Sequence, residues 1–415
     1  MNAFGRPHMG DVIAGVSVAL VAIPQSLAYA ELAGMPAQYG LYATALPSLL
    51  AAFFVSSRYL QTGPVALTAL LTFGALTPLA TPMSDEYIAL AALLALLVGV
   101  LRVALGVARL GRVAYLLTPP VLVGFTTAAA ILILSSQLPK LFDVDPDEGG
   151  VIANAVWSLV HLGEWSVGAI VFSAVAFAAI FGGRRVHALF PGVLLAVLVG
   201  LLVSSMLDYG GSIVGELDGG FIGLSFDFDW STTGSLVVPA IAIALVGFAE
   251  PSSIARTFAR ADKEPWNADR EMVSQGVANL ASAVSGAFPV GGSFSRSSLN
   301  RLAGARTAWA GAITGAFVLL ALPLTPALHD LPQAILGAIV IGAVLKLIDL
   351  RGVWRLRDQS KAQFFVGVIT LVATIATAPR VERGVVIGVV VSLVVERLAG
   401  ERFAEPEVHE PVGAS

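Results

Sequence analysis

Cysteine is absent from this chain of 415 residues, and histidine occurs only five times. The absence of cysteine excludes disulfides, thiolate metal ligands and a cysteine nucleophile. The histidines fall in loops, tails or the ends of apolar runs, which disfavours an intramembrane serine protease built on a Ser–His pair. Charged residues are also scarce, at 13% of the chain, whereas soluble globular domains carry roughly 25%.

Other signatures of chemistry are missing from the sequence as well. It contains no Walker A motif, so ATP-driven transport by this chain is not expected. No cluster of carboxylates or histidines has the spacing of a metal site, and no cofactor is predicted. Nothing favours nucleic acid as a partner. The chain is therefore not expected to be an enzyme, and its expected partners are the lipid bilayer and a small solute.

Apolar sequence is abundant: 56% of the residues are hydrophobic, and the mean hydropathy is +0.83. Such a composition predicts an all-α polytopic membrane protein. Residues 1–400 are predicted to form its transmembrane domain, with about fourteen segments. The segments are expected at 11–30, 38–57, 63–79, 86–108, 119–139, 164–182, 187–207, 233–256, 271–287, 293–304, 307–323, 331–348, 361–378 and 382–399.

The third and tenth segments look too short or too broken to cross the membrane as continuous helices. The third begins with the sequence TGPV and the tenth with GGSF. A short extended stretch is expected before each helix. In the tenth segment, Gly291 and Gly292 allow the backbone to leave helical geometry, and Ser293 is predicted to cap the helix that follows.

The distribution of lysine and arginine predicts the topology. With the N-terminus in the cytoplasm and fourteen crossings, 20 of the 24 basic residues fall on the cytoplasmic side, Arg102 and Arg112 among them. Only Lys140, Arg380 and Arg383 fall outside, and Arg296 remains within the membrane. We therefore expect a multi-pass protein of the cell (inner) membrane with both termini in the cytoplasm. The basic stretch 351–361 is expected to lie as a linker helix on the cytoplasmic surface.

Three weak internal similarities indicate a repeat. Residues 19–26 align with 244–251 at an offset of 225, residues 61–66 with 290–295 at 229, and residues 119–124 with 332–337 at 213. The matches pair segments one and eight, three and ten, and five and twelve. Seven segments per repeat is an odd number, so the second repeat enters the membrane from the opposite side. Such inverted repeats are the architecture of secondary transporters.

Arg296 is the centre of the candidate site, because an arginine at bilayer depth costs at least ~2.5 kcal/mol. The starts of the two broken helices are expected to face each other near the midplane and to direct their positive dipole ends at an anion. A lipid-facing arginine that snorkels to the interface is the alternative. The residues expected to line the pocket are Gly63, Pro64, Val65 and Ala66 from one half, and Gly292, Ser293, Phe294, Ser295 and Arg296 from the other. Pro64 is expected at an early helical position.

Glu250 is a second intramembrane charge, and its repeat mate is Gln25. A carboxylate at this depth can carry a coupling proton, pair with Arg296 or coordinate Na⁺; a structural glutamate held by backbone donors is the alternative. Tyr29 lies one turn beyond Gln25, and it is expected either to line the same cavity or to pack within the protein. Glu31, at the outer end of segment one, is either a simple interfacial residue or a group for gating or proton entry.

The sequence resembles the sulfate permease (SulP) family of secondary anion transporters. The likeness rests on IPQSLAYA at 23–30, TGPVA at 62–66, IALVGFAE at 243–250, FPVGGSFSRSSLN at 288–300 and LPQAILGAI at 331–339. It implies a 7+7 inverted repeat and an anion site between segments three and ten, lined by Gln25, Tyr29, Phe294, Ser295 and Arg296. It also implies a core domain of segments 1–4 and 8–11 (about 8–110 and 233–323) that moves against a gate domain of segments 5–7 and 12–14 (about 115–210 and 331–399).

One departure concerns the C-terminus. Members of that family usually continue into a cytoplasmic STAS domain, which helps in dimerisation and regulation. Here residues 401–415 are expected to form only a cytoplasmic tail, with the STAS domain absent. That absence weakens the expectation of a homodimer.

The function predicted from these features is secondary active transport of a small anion of the sulfate, bicarbonate, chloride or dicarboxylate class by alternating access. Proton-coupled symport is expected first. A sodium-coupled symporter, an anion exchanger and a nucleobase–cation symporter of the same fold stay open as alternatives.

Overall fold

The computed structural model describes residues 5–111, 117–146, 149–187, 189–399 and 403. Arg112 and, apart from Phe403, the tail predicted at 401–415 lie outside the described residues.

The first half of the chain begins with four helices and continues with five more. The four are α1 (Met9–Leu32), α2 (Gln38–Ala52), α3 (Ala66–Leu76) and α4 (Asp85–Val107). The five are α5 (Pro119–Phe142), α6 (Val151–Val160), α7 (Val167–Phe177), α8 (Gly183–Val186) and α9 (Gly192–Met206). A π-helical stretch (Ala178–Gly182) joins α7 to α8, and a 3₁₀ turn (Leu162–Glu164) precedes α7.

Among the described residues, the second half contains eight further helices. Its first helices are α10 (Thr233–Asp262), α11 (Ala268–Val284), α12 (Phe294–Leu302) and α13 (Trp309–Ala321). The later helices are α14 (Gln333–Val344), α15 (Leu350–Gln359), α16 (Lys361–Ala376) and α17 (Val381–Ala399). Shorter 3₁₀ turns lie at Trp230–Thr232, Leu322–Leu328 and Leu345–Leu347.

Each of the fourteen predicted segments overlaps one of these helices. Six helical stretches among the described residues are long and apolar enough to cross a membrane. Polar caps fix several helix starts, because they accept hydrogen bonds from otherwise free N–H groups. Ser84 Oγ accepts from the N–H of Tyr87 at 3.2 Å, and Asn267 Oδ1 accepts from the N–H of Arg270 at 2.9 Å. Pro119 starts α5, where its missing N–H costs little.

Two short strands confirm the expected extended stretches. β1 (Thr62–Gly63) precedes α3, and β2 (Gly291–Gly292) precedes α12. They pair antiparallel, with Thr62 opposite Gly292 and Gly63 opposite Gly291. The pairing joins segments more than two hundred residues apart, so the two broken segments cross within the helical bundle.

Two details differ from expectation. Val65 is the N-cap of α3, with φ −136° and ψ 151°, and the helix begins at Ala66. Pro64 therefore precedes the cap, and its prediction as an early helical residue is wrong, because the backbone stays extended beyond the strand as far as Val65. In addition, α6 forms between the fifth and sixth predicted segments, where no helix was expected.

The helices pack as two interlocked sets. In one set, α11 packs on α4 and α2, and α13 packs on α2 and α1. In the other, α5 packs on α14 and α16, and α16 packs on α17. α1 also packs against α14 and α9, and α3 against α5 and α17, so α1 and α3 lie between the sets.

Candidate functional site

The paired strands bring the starts of α3 and α12 together. Ser293 is the N-cap of α12, as predicted, and its Oγ accepts from the N–H of Arg296 at 3.5 Å. The Ser293 N–H donates to the carbonyl of Gln61 at 2.9 Å, and the Gln61 N–H donates to Ser297 Oγ at 2.9 Å. Ser297 therefore links α12 to the residue before β1.

Arg296 reaches from α12 across to the other half of the site. Its side chain is 1% exposed, and Nη2 donates to the carbonyl of Pro64 at 2.7 Å. Gly63 has φ 151°, and a Cβ at this position would lie 3.1 Å from Arg296 Nη1, so only glycine fits there without strain. Because Arg296 is buried between the broken segments, the alternative of a snorkelling, lipid-facing arginine is wrong.

Glu250 lies at the N-terminus of α12. Its carboxylate lies near the N–H of Phe294, the first residue of that helix, and near Arg296. Tyr29 lies near both charged groups. A carboxylate at a helix start, beside a guanidinium, is placed as an anionic ligand would be.

α1 supplies the neighbouring wall of this region. Gln25 and Tyr29 are both 4% exposed, and the buried Oε1 of Gln25 has no hydrogen-bond partner among the described residues. Buried polar atoms are normally satisfied, so an unsatisfied amide oxygen is consistent with a water or ligand beside it. In contrast, Phe294 is half-exposed and Ser295 is partly buried, with its Oγ 3.3 Å from Ser293 Oγ.

Arg102 was predicted to lie on the cytoplasmic side, and that prediction is wrong. The side chain is fully buried, with Nη2 donating to Ile243 O at 2.9 Å, Nε to Ala244 O at 3.1 Å and Nη1 to Val290 O at 3.1 Å. The topology count placed it by its position near the end of α4, but its side chain turns inwards to carbonyls. Arg102 thus joins α4 to α10 and to the residue before β2.

Two amide side chains of α11 form hydrogen bonds with β1 and with the residue before β2. Asn279 brackets Val290, with Oδ1 accepting from its N–H at 3.0 Å and Nδ2 donating to its carbonyl at 3.1 Å. Gln275 Nε2 donates to Thr62 Oγ1 at 2.8 Å. These residues were missed in the sequence, although two amides one turn apart in an apolar helix are a recognisable signal.

The sequence left two interpretations of Glu31, a simple interfacial residue or a group for gating or proton entry. The contacts of its side chain do not favour the first. Its carboxylate pairs with Lys140 Nζ on α5 at 2.5 Å and accepts from Gln333 Nε2 on α14 at 2.7 Å. The Glu31 side chain is 8% exposed. The contact therefore joins α1 to two helices of the other packing set.

The fold and this region define a class: a polytopic α-helical membrane protein whose broken, paired segments meet at a buried arginine, as in secondary transporters of the inverted-repeat type. The sequence pattern of the sulfate permease family matches residues 9–370. The chain belongs to that family.

Relatives of known name agree with this assignment. The chain is 33% identical over 394 residues to "Sulfate transporter 4.1, chloroplastic" of Arabidopsis thaliana, and the match covers 92% of this chain and 57% of that protein. It is 30% identical to human "Solute carrier family 26 member 6", with 93% of this chain and 54% of that protein covered. The chain thus spans little more than half the length of these relatives.

Solved structures show the same fold. An SLC26A9 structure superposes with a TM-score of 0.87 at 22% identity, covering 94% of this chain and 65% of that one. The transmembrane domain of the cyanobacterial bicarbonate transporter BicA superposes at 0.77 and 21% identity, covering 93% of this chain and 98% of that one. The prediction of an all-α membrane fold with two inverted repeats of seven segments is confirmed.

Proposed function

We propose that this chain carries a small anion across the membrane by secondary active transport, with the anion held between the starts of α3 and α12. The position of Glu250 carries the proposal. The chain's own carboxylate lies near the first N–H of α12 and near Arg296, which is where the dipole of the helix and the guanidinium favour an anionic group. Arg296, Ser293, Phe294, Ser295 and Gly292 on one side, and Gly63, Pro64, Val65 and Ala66 on the other, are the proposed lining, with Gln25 and Tyr29 from α1.

The closeness of Glu250 to the start of α12 also supports coupling to protons. An anion that takes the N–H groups of α12 meets the negative charge of Glu250, and like charges at close range repel strongly in a low-dielectric site. Protonation of Glu250 removes the repulsion, so anion and proton bind together and cross together. Proton–anion symport is accordingly the proposed mode, with sodium-coupled symport and anion exchange as the alternatives.

The test uses the purified chain in proteoliposomes, with uptake of labelled sulfate and bicarbonate driven by a pH step. Glu250→Gln should abolish the acceleration by the pH step, because it cannot carry the proton, and should keep anion binding. Arg296→Ala should weaken anion binding by about tenfold or more, since a charge-assisted hydrogen bond contributes roughly 1.5–3 kcal/mol.

Glu86→Gln is the matched control, because Glu86 is exposed at the start of α4. Full pH-driven uptake by Glu250→Gln would rule out the proton role. Uptake that follows a sodium gradient or a counter-anion would favour the alternative modes. Binding of uracil in preference to anions would favour a nucleobase–cation symporter, although a buried arginine suits a neutral substrate poorly.

Alternating access requires two bodies, and we propose the core of about 8–110 and 233–323 and the gate of about 115–210 and 331–399. Glu31 belongs to the core, whereas Lys140 and Gln333 belong to the gate. Their contact is a proposed outer latch, made when the site is closed on the side of Lys140. Phe294 is half-exposed, and in this proposal its exposed face opens to the other side.

A further inference from the structure

The helix α15 lies between the end of α14 and the start of α16. Val353 and Leu356 are buried, and α15 packs on α16 and α5. Trp354 is 60% exposed on the other face. An amphipathic helix between the ends of two membrane helices, with an exposed tryptophan, lies along the membrane surface.

A shallow groove that is wide open to the outside lies on this exposed face. Its lining consists of Leu350, Arg351, Trp354 and Arg355, all on α15. Two guanidinium groups thus flank an indole ring and a leucine side chain. Arg357 adds a third guanidinium over the Trp354 ring, at 5.6 Å from the ring centroid.

The arginines of the groove have little competition from acidic side chains. In the part of the chain that the structure describes, Arg351 has no carboxylate partner, and Arg355 Nη2 lies 3.5 Å from Asp349 Oδ2 in a pair exposed on both sides. Exposed pairs of this kind are weak. Asp349 Oδ1 also accepts a hydrogen bond from the N–H of Gly352 at 2.6 Å. Between 346 and 361 five basic side chains face two acidic ones.

We propose that this groove binds the headgroup of an anionic phospholipid. Arginine presents a planar fork of donors that matches the oxygens of a phosphodiester. Leu350 and Trp354 offer apolar contact to the glycerol and upper acyl region, and the ring of Phe364 on α16 packs edge-on against Trp354, with ring centroids 5.5 Å apart. A free phosphate ion would use only the guanidinium groups, so the apolar part of the lining favours a lipid.

The experiment titrates the purified, detergent-solubilised chain with dioctanoyl phosphatidylglycerol and with dioctanoyl phosphatidylcholine. The unsubstituted chain should bind the anionic lipid more tightly. The double variant Arg351→Gln/Arg355→Gln should lose about 25-fold in affinity for it, because each basic side chain near a membrane surface contributes roughly a fivefold gain.

The matched control is Arg260→Gln/Arg397→Gln, which removes the same charge from two exposed positions outside the groove. It should keep the affinity for phosphatidylglycerol, and both double variants should keep the thermal unfolding temperature. Equal losses in the two double variants would mean diffuse charge attraction and would overturn the proposal. Equal binding of both lipids, or displacement of the lipid by millimolar inorganic phosphate, would overturn it as well.

Discussion

Individual residues of the site were predicted unequally well. Arg296 stood out in the sequence because a charge within an apolar run is energetically costly and marks a candidate site. Its burial between the broken segments agrees with that argument. Arg102 did not stand out, because an arginine near the end of a helix is normally a surface residue. Only the tertiary structure turns its side chain inwards to three carbonyls on other segments.

Arg102 gives the prediction at this scale. Arg102→Leu removes three hydrogen bonds that hold α10 and Val290, and should cost about 3 kcal/mol at roughly 1 kcal/mol per bond. Arg102→Lys should recover only part of this, because an ammonium group cannot span three separated carbonyls. Thermal unfolding of the solubilised chain measures both, and an unchanged unfolding temperature for Arg102→Leu would contradict the bracing role.

At the scale of elements, the broken segments were predictable because glycine, proline and serine mark the points where a helix cannot continue. The pairing of β1 with β2 was not, since two residues of extended backbone carry no signal of their partner. Pro64 shows the limit of prediction from sequence. A proline there fits either the first turn of a helix or the residue before the cap, and the strand pair decides between the two.

The cap of α12 gives a prediction for this element. Ser293→Ala leaves the N–H of Arg296 without its side-chain acceptor, and N-cap loss costs about 0.5–2 kcal/mol. Because the Ser293 Oγ–Arg296 N distance is long, at 3.5 Å, we expect the lower end of that range. Ser293→Thr keeps the acceptor and should unfold at the same temperature as the unsubstituted chain; equal destabilisation by both would show that the hydroxyl does not matter.

At the scale of the whole molecule, the contact of Glu31 with Lys140 and Gln333 is the feature that spans the two packing sets. Glu31→Lys should separate α1 from α5 by charge repulsion and open the entrance on that side. The double exchange Glu31→Lys/Lys140→Glu restores an ion pair and should close it again.

The absence of cysteine makes this measurable in the intact membrane. Phe294→Cys, at a half-exposed position of the site, can be labelled with a membrane-impermeant maleimide added on the side of Lys140. We expect slow labelling in that background, faster labelling with Glu31→Lys, and slow labelling again in the double exchange. Equally slow labelling in all three would remove the latch from the proposed transport cycle.

The sequence by itself determined the membrane class, the fourteen segments, the two broken helices and the family, because hydropathy, helix breakers and local motifs are encoded in neighbouring residues. The tertiary structure decided which distant residues meet: the strand pair, the Arg296 contact with Pro64, the inward turn of Arg102 and the Glu31–Lys140 pair. The physical reason is the same in each case. Most buried polar groups are hydrogen-bonded. The sequence allows many partners for each such group, and the packing of the helices decides which of them lie within reach.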